Sequence, residues 1–130
     1  MTIRAEGLRW FRERFGKAPG SIHVSRCFPP DKSWTKHAAW AFEIPPAEIG
    51  GHDKPDIVLI CEQKPGSGEF SCLKVPAPVF LCCEPYLYTR PDNGHISLFL
   101  SAESADHLVE KRGSGTIRFA PFVWNGQFGS

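Results

Sequence analysis

Long apolar runs are missing from this sequence. The opening stretch, MTIRAEGLRWFRERFG, is broken by charges throughout, so it lacks the uninterrupted apolar segment of a secretory signal. No later run approaches the roughly 20 residues that span a bilayer. No C-x-x-C pair occurs among Cys27, Cys61, Cys72, Cys82 and Cys83, and five is an odd number of thiols. These absences point to a reducing, cytoplasmic setting with unpaired thiols and no membrane contact. Internal repeats, low-complexity tracts and linkers are absent too. The chain therefore reads as one domain over 1–130, with a basic helix at 1–16 and a flexible tail at 125–130.

What is present suits a mixed fold. With 130 residues and 42% hydrophobic composition, a chain of this size buries roughly two-thirds of its unfolded surface. Ten Phe and four Trp supply large apolar faces, while twelve Pro and twelve Gly imply many turns and short elements.

Local patterns place the elements. Leu8, Phe11 and Phe15 recur at helical spacing over 2–15, with Ile3 near the same stripe, Gly16 as C-cap and Pro19-Gly20 beyond. Ile22–Val24 reads as a short strand and Cys27–Thr35 as a loop. Residues 38–44 alternate, with Trp40, Phe42 and Ile44 on one face. A helical turn fits 46–49. A β-hairpin is expected at about 56–76: Asp56–Glu62 is apolar on both faces, KPGSGE turns, and Phe70–Val75 returns. Within it Ile57, Leu59 and Cys61 share one face and Val58 and Ile60 the other. Cys61 and Cys72 could face each other across it as a disulfide. A short buried helix follows Pro78, then a strand at 86–89. Asn93-Gly94 turns into a strand at 95–100. Ser104 caps a helix over 105–112, and 116–119 forms the last strand. The sum is an α+β fold: a mainly antiparallel, strongly bent sheet or partial barrel of five or six strands, with two or three short helices.

Several phrases form a set: Ser33-Trp34-Thr35, Trp40-Ala-Phe-Glu-Ile-Pro45, Leu73-Lys-Val-Pro76, Leu98-Phe-Leu-Ser-Ala-Glu103 and Arg112-Gly-Ser-Gly-Thr-Ile-Arg-Phe119. Their order and spacing resemble a group of small uncharacterised bacterial proteins carried on mobile or accessory DNA, over roughly residues 28–123. The resemblance implies an accessory bacterial gene product and brings no activity with it.

Candidate chemistry is sparse. Asp56 with Glu62-x-Lys64 imitates the letters of a metal-dependent nuclease, in which carboxylates hold Mg²⁺ and a Lys attends the attacking water. On one strand, however, Asp56 and Glu62 stand about 20 Å apart. His23, Cys27 and His37 are too few and too irregular for a zinc site. Cys82-Cys83 lies beside Glu84, which opposes thiolate formation. Arg112-Gly-Ser-Gly115 could offer turn amides to a phosphate, but it runs from helix to strand, the reverse of a phosphate loop.

Charge is the clearest signal. Residues 1–40 carry eight basic and three acidic side chains, and 41–130 carry seven basic and eleven acidic ones. Arginines on an exposed helix attract nucleic-acid phosphates, and aromatics stack on unpaired bases. The expected function is thus a non-enzymatic binding module that contacts nucleic acid or an acidic protein through Arg9, Arg12, Arg14, Trp34, Lys36 and Arg112. The alternatives are a nuclease or other small hydrolase using Asp56, Glu62 and Lys64, and a small-ligand pocket lined by Trp34, Trp40 and Tyr86. No cofactor or metal is called for. Self-association stays open, because edge strands need cover.

Overall fold

A computed structural model describes residues 2–17, 20–33, 36–49 and 53–124. In chain order its elements are helix α1 (Ile3–Phe15), strands β1 (Ile22–Ser25), β2 (Ala39–Ile44), β3 (Ile57–Glu62) and β4 (Phe70–Val75), helix α2 (Ala77–Cys83), and strands β5 (Tyr88–Thr89), β6 (Ile96–Ser101) and β7 (Val123–Trp124). Short 3-10 turns at Pro30–Lys32, Pro46–Glu48, Glu84–Tyr86 and Ala120–Phe122 each carry a proline at their first or second position, where its missing N–H costs nothing.

The fold is α+β, but the strands form two sheets, ordered β1-β3-β4-β7 and β2-β6-β5, and no closed barrel. Among the described residues there are seven strands where five or six were expected. β5 falls within the strand expected at 86–89, whereas β7, two residues long, is too short for alternation to show in sequence. Every pairing is antiparallel except β1 with β3. The sheets approach each other along β1 and β2. There Ser25 Oγ accepts the Ala41 N–H at 2.9 Å, the Trp40 ring N–H donates to the Glu62 carbonyl at 2.8 Å, and Phe28 bridges Ala39.

The expected hairpin is β3 with β4, and both faces of β3 are covered. Ile57, Leu59 and Cys61 enter the core between the sheets, beside Trp40, Phe42 and Ile44 of β2 and Leu98 and Leu100 of β6. Val58 and Ile60 point the other way, toward Phe11 of α1, with Phe70 and Cys72 of β4. Opposite Cys61 in the ladder stands Ser71, and opposite Cys72 stands Ile60. The Cys61–Cys72 disulfide left open by the sequence is not formed: an offset of one residue sends the thiols to opposite faces, and all five cysteines are free.

Two further expectations fail after β6. Residues 105–112 are not a helix: 105–108 form a turn, and Val109 and Glu110 make isolated bridges to Arg118 and Leu100. The amides of Leu108, Glu110 and Lys111 donate to the carbonyls of Ser101, Ile117 and Phe99, and Leu108 takes φ +64°. Burial of Leu108, Val109 and Glu110 outweighs a modest helical preference. The strand expected at 116–119 shrinks to one bridge, Val109 with Arg118, because the turn at 112–115 leaves no long partner alongside it. The 125–130 tail lies outside the described residues. Among those described, no helix is long and apolar enough to cross a membrane.

Candidate functional site

Helix α1 carries the basic signal, and its capping explains where it begins and ends. The Thr2 hydroxyl accepts the Ala5 N–H at 3.1 Å, and Gly16 closes the helix at φ +78° with its N–H on the Arg12 carbonyl at 3.0 Å. Glu6 sits in the first turn and Arg12 and Arg14 in the last, the arrangement the helix dipole favours. Gly7 allows close seating on β1, since a Cβ there would lie 2.6 Å from Val24 Cγ1. With Gly7 and Phe11 buried on the sheet side, Arg4, Arg9, Arg12 and Arg14 are exposed.

These cations differ in their partners from those later in the chain. Arg12, Arg14, Lys17, Arg26, Lys32 and Lys36 are exposed and take part in no ion pair among the described residues. By contrast Lys74 pairs with Asp56 at 3.6 Å, Arg90 with Glu43 at 2.6 Å and Asp92 at 2.8 Å, and Lys111 with Asp106. Lys54, Lys64 and Arg118 also stand outside ion pairs among the described residues, but they are scattered over separate loops.

Beside α1 runs an aromatic groove of about 450 Å³ that sequence reasoning missed. Trp10 lies 5.7 Å from Phe15 edge-on and 5.9 Å from Phe70, and Phe15 stacks on Trp124 at 4.8 Å. The Arg14 guanidinium rests 5.3 Å over the Trp10 ring. Only the Trp10–Arg14 step, four residues along one helix face, could have signalled it. Phe70 and Trp124 arrive through the sheet. A second cleft of about 500 Å³ lies at the other end of the helix, where Ile3 and Glu6 face Arg26, Lys32 and Glu62.

The nuclease-like letters do not meet. Asp56 precedes β3 and pairs with Lys74. Glu62 ends the strand, almost fully buried, where its carboxylate accepts the Cys27 N–H and the Gly66 N–H, each at 3.0 Å. Lys64 is exposed in the turn. Glu62 thus acts as a clamp between the Cys27 loop and the hairpin tip.

Arg112 is likewise held within the fold. Its guanidinium lies 4.3 Å over Tyr88 and 5.3 Å over Phe99 and donates to Ser97 Oγ at 2.8 Å. The turn amides beside it are occupied by an internal anion. The fully buried Glu110 carboxylate accepts from Phe99 at 2.7 Å, Arg112 at 3.0 Å and Gly113 at 2.8 Å. Gly113 is required there, since a Cβ would meet the Tyr86 carbonyl at 2.3 Å.

The remaining candidates disperse. His23 bonds Glu48 at 2.7 Å and His37 approaches Glu103 at 4.0 Å; the described residues hold no cluster of three or more metal-ligand side chains. Burial, and then the Glu62 and Glu103 carboxylates, push the Cys27 thiol up, and burial followed by Cys82 does the same at Cys83; both shifts oppose thiolate chemistry. Trp40 is buried while Tyr86 is 52% exposed, so those two do not line one pocket. Trp34 lies outside the described residues. No protein-family model, no curated protein and no solved structure matches the chain.

Proposed function

We propose that this protein is a non-enzymatic binding module whose basic N-terminal region contacts nucleic acid. One observation carries this reading: Arg12, Arg14, Lys17, Arg26, Lys32 and Lys36 are exposed and outside ion pairs among the described residues. Unneutralised guanidinium and ammonium groups on a rigid helix and the neighbouring loop attract phosphates and release counterions on contact. The separation of Asp56 from Glu62 and Lys64 supports the non-enzymatic reading. The resemblance to bacterial accessory proteins fits it and extends it to an accessory gene product acting in the cytoplasm.

The test is a titration of the whole chain with labelled DNA and RNA between 20 and 200 mM salt. Affinity falls as salt rises, and the charge-reversal set R9E, R12E and R14E flattens the log–log salt slope by about 2 to 3. Absence of binding at the lowest salt removes this reading. An acidic protein partner then becomes the reading to pursue.

A further inference from the structure

We infer that the groove between α1 and the β4–β7 edge receives an unpaired base, so that the nucleic acid bound is single-stranded. This rests on the nucleic-acid reading above and names its substrate class. Three observations lead to it.

First, the groove is walled by flat rings from separate elements: Trp10 and Phe15 of α1, Phe70 of β4 and Trp124 of β7, with neighbouring centroids 4.8 to 5.9 Å apart. Trp10, Phe15 and Trp124 are only half-buried, so ring surface borders the opening. At about 450 Å³ the space is in the range of small-molecule sites.

Second, the Arg14 guanidinium sits over the Trp10 ring, 5.3 Å from its centroid. A guanidinium held there presents a planar cation at the groove's lip. Bases stack on guanidinium planes as they do on aromatic rings.

Third, charge orients the strand. Arg14 is the cation on the helix wall of the groove, while Arg12 and Lys17 line a separate cleft with Leu8 and Ile22. Glu69 is the carboxylate on the opposite wall. A phosphate is drawn to Arg14 and repelled from Glu69, so the backbone lies on the α1 side and the base points across the groove. On the far wall Gln63 donates its side-chain N–H to the Phe70 carbonyl at 3.0 Å, which leaves its side-chain oxygen as an acceptor for a base edge. A duplex would have to unstack and unpair a base to fill the groove, at a cost of a few kcal/mol.

The experiment compares four probes on the whole chain at one salt concentration: a single-stranded DNA 12-mer, an RNA of the same length, an abasic DNA of the same length and a duplex. Anisotropy and tryptophan fluorescence are read together. The base-containing strands bind about 5- to 100-fold tighter than the abasic strand and quench tryptophan emission. Trp10→Leu brings them down to the abasic affinity and removes the quench, with the circular dichroism spectrum unchanged. The ratio between DNA and RNA distinguishes the two sources of the base. Equal affinity for base-containing and abasic strands in the unmodified protein overturns the inference whether or not the variant folds. So does duplex binding as tight as single-strand binding. In both cases the broader nucleic-acid reading survives. Loss of both readings shows as no binding to any probe, or as binding of polyglutamate in place of all four.

Discussion

The two faces of strand β3 make the most instructive comparison in this molecule. Its inner face, Ile57, Leu59 and Cys61, belongs to a core shared by both sheets. Its outer face, Val58 and Ile60, is covered mainly by one helix through a smaller cluster whose half-buried rim is half aromatic, with Trp10, Phe15 and Trp124. The polar groups differ in the same sense. On the two-sheet side the buried Glu110 carboxylate bonds three backbone amides, and Arg90 and Lys111 are paired. On the helix side Arg12, Arg14 and Lys17 point outward without ion-pair partners among the described residues, although Lys74 of β4 pairs with Asp56. One face is built to be satisfied internally. The other keeps charge and ring surface available to something else.

The largest test of this contrast lies in the internally satisfied half. Glu110→Ala leaves three amides unmatched and removes a buried carboxylate, so we expect a loss of about 3–5 kcal/mol in urea unfolding. Retention of wild-type stability would break the comparison.

Next comes the seating of the helix. Gly7→Ala raises helix propensity by about 1 kcal/mol but drives a methyl into Val24, and Val is stiff at χ1. Net destabilisation of about 1–3 kcal/mol is expected, with hydrogen exchange rising first in α1 and β1. Adding Val24→Ala should relieve the clash in part, which a double-mutant cycle measures.

A smaller effect appears at alkaline pH. Burial pushes the Cys72 thiol up to about 12 and raises Cys61 well above its ordinary value. The folded state then holds protons that the unfolded chain releases. Stability from these thiols is complete below their unfolded value, near 9, and is lost as pH rises from there toward 12. A Cys72→Ala variant should show a shallower decline over that window. At pH 8 a thiol reagent should label exposed Cys82 in the native protein and reach Cys61 and Cys72 only on unfolding.

The smallest expected effect sharpens the comparison from the other side. R12E and R14E break no ion pair among the described residues but reverse the favourable dipole placement and, at Arg14, remove the contact over Trp10, so each should cost about 1 kcal/mol and leave the protein folded. Any loss of nucleic-acid binding in these variants then reports on contact and not on folding.

How much of this was legible beforehand follows from which interactions are local. Helix α1, the β3–β4 hairpin, the two-sided burial of β3 and the Asn93-Gly94 turn were readable, because periodicity and turn chemistry act over a few residues. The charge asymmetry was plain from a count. The 105–112 segment misled because it has helical caps and spacing, yet its amides bond Ser101, Phe99 and Ile117 across space.

By itself, then, the sequence determined which stretches are apolar on one face or two, where the chain turns, and that cations gather toward its start. Tertiary structure alone decided the one-residue offset between Cys61 and Cys72, the parallel pairing of β1 with β3, the filling of the 112–115 turn by Glu110, and the meeting of Trp10, Phe15, Phe70 and Trp124 beside Arg14. Each of these depends on register or on contacts between residues far apart in the chain. Local preferences are nearly indifferent to such choices, and burial on both sides of a sheet settles them.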